Sequence, residues 1–241
     1  MRILVVNDYN EMKNKAANII ASQMVLKPNS VLGLATGSTP LGTYEELVRL
    51  YKIGIISFSE ITSFNLDEYY GLSKNNNQSY NYYMYMNLFN HVDIDEDNVH
   101  IPDGMCENIE RECADYERKI KESGGIDLQL LGIGRNGHIG FNEPSDSFQL
   151  NTHLVQLDED TIEANSRFFA SIDEVPTRAI SMGIGSILRA KKIVLLASGE
   201  EKADAIYDTV KGPITPKVPA SILQLHPDVV IIADKEAASR L

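Results

Sequence analysis

The sequence has few features of a secreted, membrane-bound or nucleic-acid-binding protein. Its 241 residues include two cysteines, Cys106 and Cys113, which do not form a CxxC pair, so neither a disulfide framework nor a redox motif is predicted. No segment approaches the about 18 consecutive apolar residues that a membrane helix needs, and the apolar run at residues 3–6 is too short for a signal peptide. A net charge of −12 would repel nucleic-acid phosphates. We therefore predict a soluble, cytoplasmic protein with no membrane or nucleic-acid partner.

Several cofactor and catalytic motifs are also missing. No G-x-S-x-G segment is present, which disfavours an activated-serine hydrolase. The five histidines show no H-E-x-x-H or similar spacing, so no catalytic metal is predicted. The Gly/Ser/Thr turn at residues 36–40 lacks the G-K-[ST] ending of a nucleotide P-loop. Residues 132–137 match G-x-G-x-x-G, but Gly140 and Pro144 prevent the helix that a dinucleotide site needs there. We expect no cofactor.

Apolar runs typical of buried strands alternate with helical patterns along the whole chain. The predicted strands cover residues 3–6, 31–35, 61–66, 127–131, 153–157, 179–182, 193–197 and 229–233, and the longer helices cover 11–26, 41–51, 75–92, 107–123 and 158–170. No internal repeat or linker interrupts them. The alternation predicts one α/β domain over residues 1–241, with a single Rossmann-like, doubly wound, mostly parallel sheet and helices on both faces.

The turn after the second predicted strand, TGSTP at residues 36–40, is typical of an anion site. Ser38 or Thr39 can act as N-cap, with Pro40 at the first helical position. Such a turn collects free N–H groups and the positive end of a helix dipole, which suits a phosphate. Many ordinary strand-to-helix turns look similar, so this turn alone leaves both interpretations open.

Two other segments carry groups suited to proton transfer. Residues 132–140 contain four glycines, and His138 and Glu143 lie close enough in sequence for the carboxylate to hold one imidazole nitrogen and fix the tautomer. Asp67 follows the third predicted strand and is a candidate general base, although Asp is also common in turns and helix caps. Ligands of open parallel sheets bind beyond the carboxyl ends of the strands. The candidates that follow strand ends therefore predict acid–base chemistry on a phosphorylated small molecule.

Four segments resemble the signature segments of glucosamine-6-phosphate deaminases, in that family's order and spacing. They are LGLATGSTP at 32–40, FNLDEY at 64–69, GHIGFNEP at 137–144 and ANSRFF at 164–169. The first segment is shared with 6-phosphogluconolactonases and with sugar-phosphate-sensing domains. The resemblance implies a hydrolase of amino-sugar catabolism that isomerises and deaminates glucosamine 6-phosphate, giving fructose 6-phosphate and ammonia.

The resemblance also implies a role for each matching residue. His138, oriented by Glu143, would help to open the pyranose ring, and Asp67 would carry the C2 proton to C1 through an enolamine. Asn136 belongs to the same catalytic group. The residues that would hold the phosphate are Gly37, Ser38, Thr39, Arg167 and Lys202.

The chain departs from some members of that family. Asn136 stands where some members have Asp, and because Asn cannot ionise, any carboxylate that orients His138 must be Glu143. His153 and Val155 stand where the hexameric, allosterically activated members have Arg and Lys. We therefore predict a monomer that N-acetylglucosamine 6-phosphate does not activate. A lactonase and a non-catalytic sugar-phosphate sensor remain the alternatives to a deaminase.

Overall fold

The computed structural model of the protein describes residues 1–166, 169, 171 and 174–241. The strands are Arg2–Val6 (β1), Val31–Leu34 (β2), Thr62–Asn65 (β3), Asp67–Tyr69 (β4), Val99–His100 (β5), Leu128–Leu131 (β6), His153–Gln156 (β7), Arg178–Ser181 (β8), Lys192–Ala197 (β9) and Val229–Asp234 (β10). The α-helices are Tyr9–Leu26 (α1), Ser38–Lys52 (α2), Tyr80–Asn87 (α3), Ile109–Glu122 (α4), Glu159–Ser166 (α5), Ile184–Leu188 (α6) and Ala203–Lys211 (α7). Short 3₁₀ helices cover Phe89–His91, Glu96–Asn98, Glu200–Lys202 and Pro219–Leu225. Within the described ranges, none of the helices combines the length and the hydrophobicity that a membrane span requires.

The main sheet is parallel and has two hydrophobic faces. In the described part of the chain its seven strands follow the order β1-β10-β9-β6-β2-β3-β5. Leu130 of β6 packs in a core with α1 and α2, and its neighbour Leu131 packs in the opposite core with α4 and α7, because successive strand residues face opposite sides. The predicted doubly wound α/β fold with helices on both faces is confirmed.

The order of the strands creates a crevice in the middle of the main sheet. From β2 the chain proceeds outward through β3 to β5, and from β6 it proceeds the other way through β9 to β10. The direction therefore reverses between the adjacent strands β2 and β6. In open α/β sheets the loops at such a reversal separate and leave room for a ligand. Here these are the loops that begin at Ala35 and Gly132.

A second sheet of three antiparallel strands, in the order β4-β8-β7, lies beyond the end of β3. After Asn65 the chain leaves the main sheet, and Asp67 pairs with Ser181 of β8. The sequence predicts strands near β7 and β8 but not this separate sheet. Its role is positional, since it holds Asp67 at the crevice.

The helix predicted over residues 75–92 is shorter in the structure, where α3 covers Tyr80–Asn87. Ser79 is its N-cap, and the Ser79 hydroxyl accepts a hydrogen bond from the Tyr82 N–H. Residues before it form turns, one of them closed by the Ser79 N–H on the Asn76 carbonyl. Leu88 leaves helical geometry with φ −140°. The polar Asn run therefore forms turns, because a serine cap starts the helix later.

Candidate active site

A cleft of about 1000 Å³ opens at the carboxyl ends of β2, β3, β6 and β9. The predicted site residues that line it are Gly37, Ser38, Thr39, Asp67, Asn136, His138 and Lys202. Glu143 is buried behind this surface and contacts Asn136 and His138. Arg167, which the sequence also predicts as a phosphate ligand, lies outside the described residues. The structure thus brings the described candidates from four separate chain segments to one cleft.

The helix α2 presents its N-terminus to this cleft. Gly37 is the N-cap, with φ 102°, a left-handed conformation that glycine adopts readily. The prediction of Ser38 or Thr39 as N-cap is therefore wrong, because the chain turns at Gly37 and helical geometry already begins at Ser38. The hydroxyl of Tyr83 donates a hydrogen bond to the Gly37 carbonyl (2.7 Å). Ser38 and Thr39 are the first two helical residues instead, and N–H groups at these positions have no partner inside the helix. The N-terminus of the helix still lines the cleft.

His138 is held in one orientation by two oxygen acceptors. Its Nδ1 lies 2.8 Å from Oδ1 of Asn136 and 3.2 Å from Oε2 of Glu143. Because both neighbours accept hydrogen bonds, Nδ1 carries the proton in the neutral ring, and Nε2 is the nitrogen available to a ligand in the cleft. Asn136 also donates its amide Nδ2 to Oε2 of Glu143 (3.0 Å). These three side chains form a hydrogen-bonded relay with its imidazole at the cleft.

Burial alone would favour the neutral form of the Glu143 carboxyl, but its hydrogen bonds favour the ionised form. Burial raises the pKa, and the hydrogen bonds and charge of His138, with further bonds from Thr161 and Asn136, outweigh it and lower the pKa to about 2. Glu143 is thus a carboxylate at neutral pH. A buried carboxylate beside an imidazole stabilises the imidazolium form that follows proton uptake.

The loop that carries the relay requires a glycine beside the imidazole. A Cβ placed on Gly134 would lie 2.3 Å from Nδ1 of His138, so any larger residue would displace the ring. The Gly134 N–H donates to the His138 carbonyl (2.9 Å) and closes the loop. Farther along, Asn142 donates its amide to the carbonyls of Ile139 and Met182. The glycine density that marks this loop in the sequence therefore serves close packing around His138.

Asp67 is the buried carboxyl group on the opposite wall of the cleft. Its side chain is 6% exposed, and among the residues that the structure describes no group donates a hydrogen bond to it. Burial, followed by the charge of Glu68, raises the pKa of Asp67 to about 8. A carboxyl group with a pKa near the working pH is suited to act as both base and acid.

Glu68, the next residue, faces away from the cleft toward α3. Its carboxylate accepts hydrogen bonds from the backbone N–H groups of Tyr69 (2.8 Å), Tyr80 (2.9 Å) and Asn81 (2.8 Å). Burial raises its pKa to about 7, although these three hydrogen bonds oppose the rise. Glu68 thus fixes the start of α3, whose first residue, Tyr80, lines the cleft beside Asp67.

Three further residues contribute to the site but were not identified from the sequence. Thr161 of α5 donates its hydroxyl to Oε1 of Glu143 (2.5 Å), and Tyr80 and Arg135 line the cleft. Arg135 lies inside the glycine-rich loop beside Asn136, and this position in the sequence could have identified it as a residue of the site. The contact of Thr161 had no such signal, because it depends on how α5 packs.

Comparison with known proteins finds relatives over nearly the whole chain. Residues 8–231 match the family model described as glucosamine-6-phosphate isomerases/6-phosphogluconolactonase. This chain belongs to that family. Glucosamine-6-phosphate deaminases of Clostridium botulinum and Clostridioides difficile are 64% and 62% identical to it over 241 residues, covering all of this chain and 99% and 97% of theirs.

Solved structures of the family extend the comparison to three dimensions. A monomeric glucosamine-6-phosphate deaminase is 48% identical, with a TM-score of 0.98 and complete coverage of both chains. The 6-phosphogluconolactonase of Thermotoga maritima is 22% identical, with a TM-score of 0.77 and coverage of 97% of this chain and 99% of that one. The second likeness shows a shared fold alone.

Proposed function

We propose that this protein is a glucosamine-6-phosphate deaminase, which converts glucosamine 6-phosphate and water to fructose 6-phosphate and ammonia. The observation that carries the proposal is the meeting of Asp67 and the His138 relay in one cleft with the N-terminus of α2. The 64% and 62% identity over the full chain to deaminases of Clostridium botulinum and Clostridioides difficile supports it. The proposed site uses side chains and main-chain amides, and the proposed reaction needs no cofactor.

The phosphate of the substrate is assigned to the end of the cleft formed by α2 and Lys202. The free N–H groups of Ser38 and Thr39 and the positive end of the helix dipole attract an anion, and Lys202 follows β9 on the other side of the central loop. Arg167 remains a proposed ligand on the basis of its sequence segment. Binding the phosphate at this end holds the sugar carbons in place for the reaction.

Ring opening is assigned to the relay. With Nδ1 protonated, Nε2 of His138 takes the proton from the C1 hydroxyl and delivers it to the ring oxygen as the C1–O5 bond breaks. The carboxylate of Glu143 stabilises the imidazolium between these two transfers. The result is the open-chain aldehyde, whose C2 proton is acidic because the neighbouring carbonyl accepts the electron pair.

Isomerisation and deamination are assigned to Asp67. Its carboxylate removes the C2 proton while the C1 oxygen takes a proton from the ammonium group of the substrate, which gives the C1–C2 enolamine with a hydroxyl at C1. The same carboxyl group then returns the proton to C1, and the C2–N bond becomes a protonated imine. The resulting imine at C2 is hydrolysed to the ketone and ammonia. In the free protein the raised pKa of Asp67 favours the protonated form, but the ammonium group of the bound substrate favours the carboxylate, since a nearby opposite charge lowers a carboxyl pKa.

A coupled assay for ammonia separates this function from its two alternatives. A deaminase releases one ammonia for each fructose 6-phosphate formed from glucosamine 6-phosphate. A lactonase would hydrolyse a sugar-phosphate lactone and release no ammonia, and a sensor would bind glucosamine 6-phosphate without turnover. Absence of ammonia together with lactone hydrolysis, or with binding alone, would overturn the proposal.

We further propose that the chain acts as a single-domain monomer over residues 1–241, without allosteric activation. The 48% identical deaminase is a monomer. A second cavity of about 380 Å³ adjoins His153 and Val155, and its lining among the described residues includes no Lys or Arg that would hold an effector phosphate. The reaction rate of this protein should depend hyperbolically on the concentration of glucosamine 6-phosphate, with or without N-acetylglucosamine 6-phosphate. The cytoplasmic location stays a prediction.

A further inference from the structure

We propose that Thr161 is a positioning residue for ring opening, because its hydroxyl fixes the Glu143 carboxylate in the orientation that presents Oε2 to His138. This inference rests on the proposed function. It adds Thr161, which is not among the site residues predicted from the sequence. Thr161 acts through Glu143 and needs no contact with the substrate.

The two oxygens of the Glu143 carboxylate have separate partners. Oε1 accepts from the Thr161 hydroxyl (2.5 Å), and Oε2 accepts from Asn136 (3.0 Å) and lies 3.2 Å from Nδ1 of His138. Thr161 and Glu143 are 6% and 8% exposed. The hydroxyl is therefore the donor that fixes the plane of the carboxylate, with one oxygen directed at Thr161 and the other at the imidazole.

Without this donor, the carboxylate would lose orientation and charge stabilisation together. The last torsion angle of a Glu side chain has a broad, roughly twofold distribution. A hydrogen bond to one oxygen therefore restricts rotation of the carboxylate. A buried carboxylate that loses a donor also becomes easier to protonate, and the Thr161 bond is one of the causes that lower the Glu143 pKa. Protonated Glu143 would no longer stabilise the His138 imidazolium.

The bond also connects two separate parts of the fold. Glu143 belongs to the loop after β6, and Thr161 belongs to α5. Thr161 additionally lines the cleft, so α5 contributes both to the wall of the site and to the geometry of the relay behind it. A residue that only filled space would need its methyl group and not its hydroxyl.

Two variants separate the hydroxyl from the packing. Thr161→Val keeps the shape of the side chain but removes the hydroxyl, and Thr161→Ser keeps the hydroxyl but removes the methyl group. Loss of a hydrogen bond to a buried charge should lower kcat of Thr161→Val by about 10- to 100-fold, while KM changes little. In the substrate complex, where the ammonium group of the substrate favours the Asp67 carboxylate, the acid limb of the kcat profile of Thr161→Val should move to higher pH, and Thr161→Ser should restore both kcat and the profile.

A titration of the Glu143 carboxyl carbon by NMR tests the inference without any substrate. We expect the Glu143 pKa to rise in Thr161→Val and to remain near the wild-type value in Thr161→Ser. If Thr161→Val does not fold, Thr161→Ala gives the same comparison. An unchanged titration and pH profile in the variant without the hydroxyl would overturn the inference, as would failure of Thr161→Ser to restore them. Lack of ammonia release by the wild-type protein would refute the proposed function but leave this titration test intact.

Discussion

The carboxyl groups of Asp67 and Glu68 are adjacent in the chain but have opposite environments. Asp67 faces the cleft, and no group within the described part of the chain donates a hydrogen bond to it, whereas Glu68 accepts three backbone hydrogen bonds beneath the start of α3. This difference follows from strand geometry, since successive residues point to opposite faces. It leaves Asp67 as the group free to exchange a proton with a ligand.

The pH dependence of the reaction should reflect this pair. Because the Asp67 pKa is raised to about 8 in the free protein, kcat/KM should rise with pH as the carboxylate forms. Glu68→Gln removes the negative charge that helps to raise the Asp67 pKa. The curve of kcat/KM against pH should therefore move to lower pH. The measurement is ammonia release across the pH range, with Glu110→Gln, at an exposed position of α4, as the control. A curve that Glu68→Gln does not move would exclude electrostatic coupling of the two groups.

Asp67 should also lower the stability of the fold at higher pH. Its pKa is about 8 in the folded protein against an ordinary value of 3.8, so between these values the folded state keeps a proton that the unfolded chain has lost. The free energy of unfolding then decreases as pH rises. Asp67→Asn, which cannot ionise, should be more stable than the wild type at pH 8, with a smaller difference near pH 4. Urea unfolding at both pH values checks this, and a pH-independent difference would contradict it.

Much of the site could be predicted from sequence because a parallel sheet places the carboxyl ends of its strands on one side. Asp67, His138 and Lys202 each follow a strand, and that alone predicts their proximity. The Thr161–Glu143 contact was not predictable in this way, since it depends on the packing of α5 against the central loop. The N-cap of α2 differs from the predicted Ser38 or Thr39 because Gly37 adopts a left-handed φ and turns the chain one residue earlier.

Asn136→Asp tests the relay. In the wild type the amide donates to Glu143 and its carbonyl oxygen accepts from His138. An aspartate would place two carboxylates about as close as the present 3.0 Å contact, and one pKa of such a pair rises. We expect activity to persist, with the acid limb of kcat, which reports the substrate complex, at higher pH. Asn136→Ala removes both hydrogen bonds without adding charge. It should lower kcat and shift the acid limb less than Asn136→Asp does. Identical pH profiles for Asn136→Asp and the wild type would contradict the relay.

The main sheet was predicted better than the small one. The buried strands of a parallel sheet are continuous apolar runs, as in β9 and β10, and are visible in the sequence. The strand β4 is three residues long and pairs with β8, which lies far along the chain. No local sequence pattern therefore predicts it. The boundaries of α3 also depended on a cap, Ser79, inside a polar run that resembles a longer helix.

Lys202→Ala tests the phosphate end of the cleft. Loss of a charged contact to the phosphate should raise KM for glucosamine 6-phosphate, and the inhibition constant for inorganic phosphate, by about 10-fold or more, with a smaller effect on kcat. Lys211→Ala, on the exposed last turn of α7, is the matched control. Equal constants for the two variants would exclude Lys202 as a ligand of the phosphate.

The most direct test of the mechanism is the fate of the C2 proton when Asp67 is replaced. In deuterated water, wild-type protein should convert glucosamine 6-phosphate to fructose 6-phosphate with partial deuterium at C1, because the carboxyl group exchanges its proton with solvent during transfer. Asp67→Asn should bind the substrate with an affinity close to that of the wild type, yet slow product formation and C2 exchange by about 10²- to 10⁴-fold or more. Product formation by Asp67→Asn at the wild-type rate would show that another group moves this proton.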